Sequence, residues 1–191
     1  MIMRDPFTPA YTKTDEEAYK MTATIKDSGN RTEFPSGAVR DIQKGKGRCD
    51  LLPLNVIGEY FEIAGMPAAN EVLALMEWYH ESHDTARAYA AIENFCDDNW
   101  AGEPESMFLD VAKHFEDGAA KYGDNNWKKG IPCERYFDSA IRHYLKYLRG
   151  DTDEPHDRAF VWNVICCIWT QNRYGWNLEG LPKKGEGGDV K

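Results

Sequence analysis

At 191 residues, with 42% hydrophobic and 29% charged residues, the chain is long enough to bury a core and has an ordinary soluble, globular composition. Its formal net charge of −9 argues against general nucleic-acid binding, which needs phosphate-neutralising cations, but leaves room for a small anionic ligand in a local field. No apolar run approaches the roughly 20 residues of a membrane span, the polar start has no signal-peptide core, and five cysteines without zinc-like pairing imply reduced thiols in a cytoplasmic protein.

In chain order, residues 1–33 are polar and weakly periodic and read as an N-terminal arm. A single helical domain is expected over 34–180, with a flexible tail over 181–191. The stretch "FPSGAVRDIQKGKGRCDLLPL" (34–54) sets glycines 37, 45 and 47 among Arg40, Lys44, Lys46 and Arg48. Glycine lets a backbone approach a ligand closely and the cations supply charge, although a solvated basic turn has the same composition. It is not a Walker loop, because the spacing and the Lys-Ser/Thr ending are missing.

From 55 to 96 the pattern is helical, interrupted by "GMP" at 65–67, with apolar residues at 72, 75, 76 and 79 and then at 86, 89 and 92. Glu77, His80, Glu81 and His83 could serve as ligands but read first as the wet face of an amphipathic helix. Residues 97–106 read as a linker, with Ser106 capping the next helix. The helix over 107–123 places Phe108, Val111, Ala112 and Phe115 on an inner stripe, with Glu116 beside it. A loop, "GDNNWKKGIP", precedes the clearest amphipathic helix, 136–149, in which Tyr136, Phe137, Ala140, Ile141, Tyr144, Leu145 and Leu148 recur at helical spacing. "GDTDEPHD" turns the chain into a nearly all-apolar helix, "RAFVWNVICCIWT". No strand pair or internal repeat is evident, and the fold class is all-α.

Three features carry chemistry. Asn163 is a lone amide in an apolar helix and needs a buried hydrogen-bond partner; His156, two turns earlier, lies on nearly the same face. Asp151, Asp153, Glu154 and Asp157 crowd four carboxylates into seven residues, more than a helix cap needs, and a divalent cation would relieve their repulsion. Glu116 could add a ligand. Helical spacing offers Asp153 with His156 or Glu154 with Asp157, and does not choose between them. Arg142 and Lys146 share a face, Arg149 follows, and Lys121 closes the preceding helix. Asp138 could pair with Arg142 as an ordinary i, i+4 contact or orient it toward a phosphate. Tyr122 and Trp127 could stack on a base, although lone aromatics usually belong to a core.

The blocks "GAVRDIQKGKGRCDLLP", "GAAKYGDNNWKKGIP", "FDSAIRHYLKYLRGDTDEPH" and "WN" resemble the dATP/dGTP diphosphohydrolase domain of phages and bacteria, related to the MazG-like nucleoside triphosphate pyrophosphohydrolases. The resemblance implies an all-α bundle of that type, with the helices of about 55–105 as an insertion. It also implies Mg2+- or Mn2+-dependent hydrolysis of a purine deoxynucleoside triphosphate to the monophosphate and pyrophosphate, and a homo-oligomer in the cytoplasm, the host's if the chain is phage-encoded. On that reading Glu116, Asp153 and His156 are catalytic, and Glu116, Asp153, Glu154 and Asp157 hold the metal. Arg40, Lys44, Lys46, Arg48, Lys121, Arg142 and Lys146 bind phosphates, while Tyr122, Asn126 and Trp127 meet base and sugar. Asp138, His143 and Asn163 orient these groups. The metal motifs depart from the ExxE and ExxD of MazG-like relatives: Lys113 and Ala119 stand at the ExxE spacings from Glu116. A non-catalytic nucleotide-binding regulator and a structural phage protein are the rival classes.

Overall fold

The computed structural model describes residues 28–65 and 69–181; most of the N-terminal arm, part of the "GMP" break and all but the first residue of the C-terminal tail lie outside them. Among the described residues six α-helices dominate: α1 (Leu54–Ile63), α2 (Ala69–Met76), α3 (Thr85–Trp100), α4 (Pro104–Tyr122), α5 (Cys133–Arg149) and α6 (His156–Tyr174). The all-α expectation holds, with one addition. Arg31–Glu33 (β1) and Val39–Asp41 (β2) form an antiparallel hairpin in which Thr32 faces Arg40. Strands of three residues are too short to show a period-two pattern, so no pairing was legible there.

Helix α6 is central and packs against α3, α4 and, most extensively, α5. Its two sides meet neighbours, so Phe160, Val161, Val164, Cys167 and Ile168 are all buried. A helix that is apolar nearly all round needs such enclosure. Helix α5 buries the predicted Tyr136, Phe137, Ala140, Ile141 and Tyr144, with Leu145 and Leu148 partly covered. Gly150 ends it in the left-handed conformation that a residue with a Cβ disfavours, and its N–H bonds back to the last turn.

Other boundaries shift. Helix α3 runs through Trp100, which shortens the expected linker to three residues, and α4 opens with Pro104 at its first position instead of a Ser106 cap. The stripe on α4 is Met107, Val111 and His114, while Phe108 is 49% exposed. A single Phe carried the sequence reading one position off. The helical pattern expected from the "GMP" break to residue 96 is also interrupted: Glu77–Ser82 is a π-helical turn, His83 adopts φ 51°, and the Asp84 carboxylate caps α3 by accepting from the Ala86 N–H at 3.0 Å. The break resets the phase, so Ala88, Ala91, Ile92 and Phe95 face inward and Tyr89 faces out.

Candidate functional site

The sequence places Arg40 at the centre of β2, and three contacts from the helical body fix that strand. Asn126 works as a backbone mimic: its Oδ1 accepts from the Val39 N–H at 2.9 Å and its Nδ2 donates to the Val39 carbonyl at 2.6 Å. The Asp41 N–H donates to the Tyr122 hydroxyl at 3.1 Å, and Ser36 Oγ donates to the Gly130 carbonyl at 3.0 Å. The hairpin thereby closes a cavity of about 600 Å³ between itself, α4, the 123–131 loop, α5 and the inner face of α6. That volume suits a nucleotide-sized ligand.

The inner end of the cavity is built from N–H donors. The Arg40 guanidinium is enclosed, lies 5.0 Å from the Tyr136 ring centroid and 5.9 Å from that of Trp162, and donates through Nη2 to Asn163 Oδ1. Among the described residues no carboxylate pairs with it. Burial pulls its pKa below the usual arginine value, yet a guanidinium remains charged in proteins. Arg40 Nη1, His114 Nδ1 and Trp162 Nε1 are buried without a hydrogen-bond partner. Burial, with Arg158, Arg40 and Lys121 nearby, pushes His114 down to about 3, so it is neutral at physiological pH. Three buried polar nitrogens without partners, on one cavity, are what an oxyanion would satisfy.

Asn163 therefore serves Arg40, and its own Nδ2 donates to the Ala159 carbonyl at 2.8 Å. The expected pairing with His156 does not form. His156 instead meets His143, Nδ1 to Nδ1 at 2.9 Å, and its Nε2 lies 2.8 Å from Asp153 Oδ1. Burial and the neighbouring His156 hold His143 well below the usual histidine range.

Asp138 organises the mouth. This buried carboxylate accepts from the Cys49 N–H at 2.6 Å, from Gln43 Nε2 at 2.8 Å and from the Arg142 guanidinium. Arg142 Nε donates to the Lys46 carbonyl at 3.0 Å, which ties the glycine-rich 43–48 turn to α5. The i, i+4 pair is thus not a solvent-screened contact; it anchors a loop.

Of the residues expected at the site, Arg40, Lys46, Glu116, Lys121, Tyr122, Asn126, Trp127, Asp138, Arg142, His143, Glu154 and Asn163 line the cavity. Asn126 does so with its amide committed to Val39, so it holds the hairpin. Lys44, Arg48, Lys146, Asp153, His156 and Asp157 do not line it. Arg48 turns away to pair with Asp50, and Lys146 pairs with Asp153 at 3.0 Å outside the cavity. Asp157 is buried on α6, where it accepts from the Arg158 N–H at 2.8 Å. Sequence reasoning missed His114 and Trp162. The available signals were His114 three residues after Val111, hence on the same face, and Trp162 next to Asn163.

Among the described residues, two groups of side chains bring three potential metal-ligand atoms within 4.8 Å of one another: His143, Glu154 and His156; and Asp151, Asp153 and His156. Glu116 faces the cavity from α4 and belongs to neither.

Residues 99–178 match the model of the family described as dATP/dGTP diphosphohydrolase, N-terminal. The match contains α4, α5 and α6 but not β2, which supplies Arg40. No curated protein and no solved structure matches the chain.

Proposed function

We propose that the cavity converts a purine deoxynucleoside triphosphate to the monophosphate and pyrophosphate, a reading supported by the match of residues 99–178 to the dATP/dGTP diphosphohydrolase family model. The observation that carries this reading is the enclosed Arg40 guanidinium, held by an amide and two rings with no carboxylate, beside two more buried nitrogens lacking partners. An uncompensated buried charge is costly, and an incoming phosphate supplies the missing counter-charge.

The triphosphate enters with its phosphates toward Arg40, His114 and Trp162. Lys46 and Lys121 line the same cavity, their ammonium groups 2.7 and 3.9 Å from the Asp41 carboxylate. Phe34, Tyr122 and Trp127 give the aromatic walls on which a purine stacks. Glu116, an exposed carboxylate on the same wall, accepts the proton of a water attacking the α-phosphorus. Arg40 and Lys121 then stabilise the charge that develops on the departing pyrophosphate. Of the two expected cations, Mn2+ suits the donor atoms of Glu154, His143 and His156 and would supply Lewis-acid polarisation of the phosphoryl oxygens there.

The test is incubation with each canonical deoxynucleoside triphosphate plus Mg2+ or Mn2+, with products resolved by anion exchange. The expected products are dGMP or dAMP with equimolar pyrophosphate. A diphosphate and inorganic phosphate as first products would move the cleavage site and overturn the reading. Arg40→Met, which keeps much of the volume and the apolar stem, should stay folded and lose at least 10²-fold in kcat/KM, about the effect of removing one charged transition-state donor. Wild-type kinetics in that variant would remove the phosphates from the inner end.

A further inference from the structure

We propose that His143, His156 and Glu154 form a centre for a nitrogen-preferring first-row transition metal, with Asp153 as the residue that positions His156 and not as a ligand. Only the use of this centre in phosphate chemistry rests on the reading above; the centre itself does not.

The chain builds the group from a short connection. His143 sits on the last two turns of α5, Glu154 on the turn after Gly150, and His156 at the first position of α6. The Nδ1 atoms of the two imidazoles are 2.9 Å apart. Two nitrogens bound at about 2.1 Å to one ion and subtending a right angle would be separated by about 3.0 Å. The pair therefore already has the bite of two cis ligands. A carboxylate oxygen of Glu154 lies within 4.8 Å of a ring nitrogen of each histidine.

Asp153 determines which nitrogen of His156 is available. Its Oδ1 lies 2.8 Å from His156 Nε2, so the ring proton belongs on Nε2 and the Nδ1 lone pair is left on the side of His143. A carboxylate behind a ligating histidine is the usual means of fixing tautomer and ring orientation.

The competing group, Asp151 with Asp153 and His156, is a poorer cation site. The Asp151 carboxylate is taken by the Arg149 guanidinium and Asp153 by Lys146 at 3.0 Å, so two cations already stand there. His143 and Glu154 line the cavity, which leaves the open side of the centre facing the ligand. Donor type then selects the metal. Mg2+ takes oxygen ligands, whereas two imidazoles and one carboxylate suit Mn2+, Fe2+, Co2+ or Zn2+.

The test uses the full chain, stripped with a chelator, without nucleotide, and titrated with Co2+ as a spectroscopic probe. A saturable visible absorption band is expected, displaced by Zn2+ and unaffected by a large excess of Mg2+. Proton NMR of the Co2+ form should show two hyperfine-shifted, solvent-exchangeable imidazole N–H resonances, one from each histidine. That measurement needs no variant, so it decides the question even if His143→Ala or His156→Ala fails to fold. Where they fold, as judged by melting in chelator, both should lose the band, and Glu154→Gln should weaken it. Asp153→Asn should keep the band, shifted in energy, with affinity down 10- to 100-fold, while Asp151→Asn should match wild type. A Co2+ form without the two shifted resonances, or a band that survives in folded His143→Ala and His156→Ala, would overturn the proposal. Cobalt binding through both histidines without nucleotide turnover would sink the hydrolase reading and keep this one. Turnover with Mg2+ and no histidine-bound Co2+ would do the reverse.

Discussion

Glu71 shows how one buried carboxyl couples stability to pH. It is 2% exposed on α2, and the Tyr144 hydroxyl lies 3.5 Å away. Burial raises its pKa, and Asp98 adds repulsion. The folded protein therefore holds the Glu71 proton more tightly than the unfolded chain does. Stability from this group is fully present below the unfolded value of 4.5 and is lost as pH rises through the higher folded value. Glu71→Gln keeps a hydrogen-bonding oxygen for Tyr144 and removes the ionisation. Its melting temperature should exceed wild type at pH 7 to 8, with the difference closing toward pH 4. An equal offset at all pH values would show that the carboxylate is not penalised by its surroundings.

Among the elements, the hairpin is the one whose position the helices must hold from outside. Strands of three residues have little stability of their own, and Asn126 supplies both a donor and an acceptor to Val39. Asn126→Ala leaves those two backbone groups without their partner, at a cost of about 1–3 kcal/mol. Arg40 is the next residue along, so the same change should raise KM for the triphosphate in the assay proposed above. Asn126→Asp retains the acceptor and loses the donor, and should fall between alanine and wild type in thermal melts. If Asn126→Ala binds nucleotide as well as wild type does, the hairpin is held by Tyr122 and Ser36 alone.

At the scale of the whole molecule, the helices expected as an insertion over about 55–105 share a core with the rest. Phe95 on α3 lies 4.6 Å from Phe160 on α6 and 5.1 and 5.9 Å from Tyr147 and Tyr144 on α5, centroid to centroid. Trp78 Nε1 donates to Gln171 Oε1 at 2.9 Å, and the His83 ring stacks on Trp176 at 4.1 Å. One cooperative transition is therefore expected in urea, with far-ultraviolet circular dichroism and tryptophan fluorescence coinciding. Phe95→Ala should cost about 3–5 kcal/mol and shift both signals together. Separate midpoints would mean that α1–α3 fold as an appendage.

The sequence by itself determined the helical class, the inward face of α5 and the enclosure of α6. Each follows from a local period or from composition, which tertiary contacts only reinforced. It also singled out Arg40 and Asn163, 123 residues apart, without linking them. That link depends on a hairpin with no detectable period, docked by an amide from a distant loop. The same holds for the carboxylates: spacing placed Asp153, Glu154 and Asp157 in one group, but only the packing of α6 on α5 decided which faces the cavity, which backs a histidine and which is buried elsewhere. Asp153 and Glu154 lie in the turn before α6, outside any helical period, and Asp157 lies in its first turn, so their partners come from whatever neighbouring element the fold brings to each.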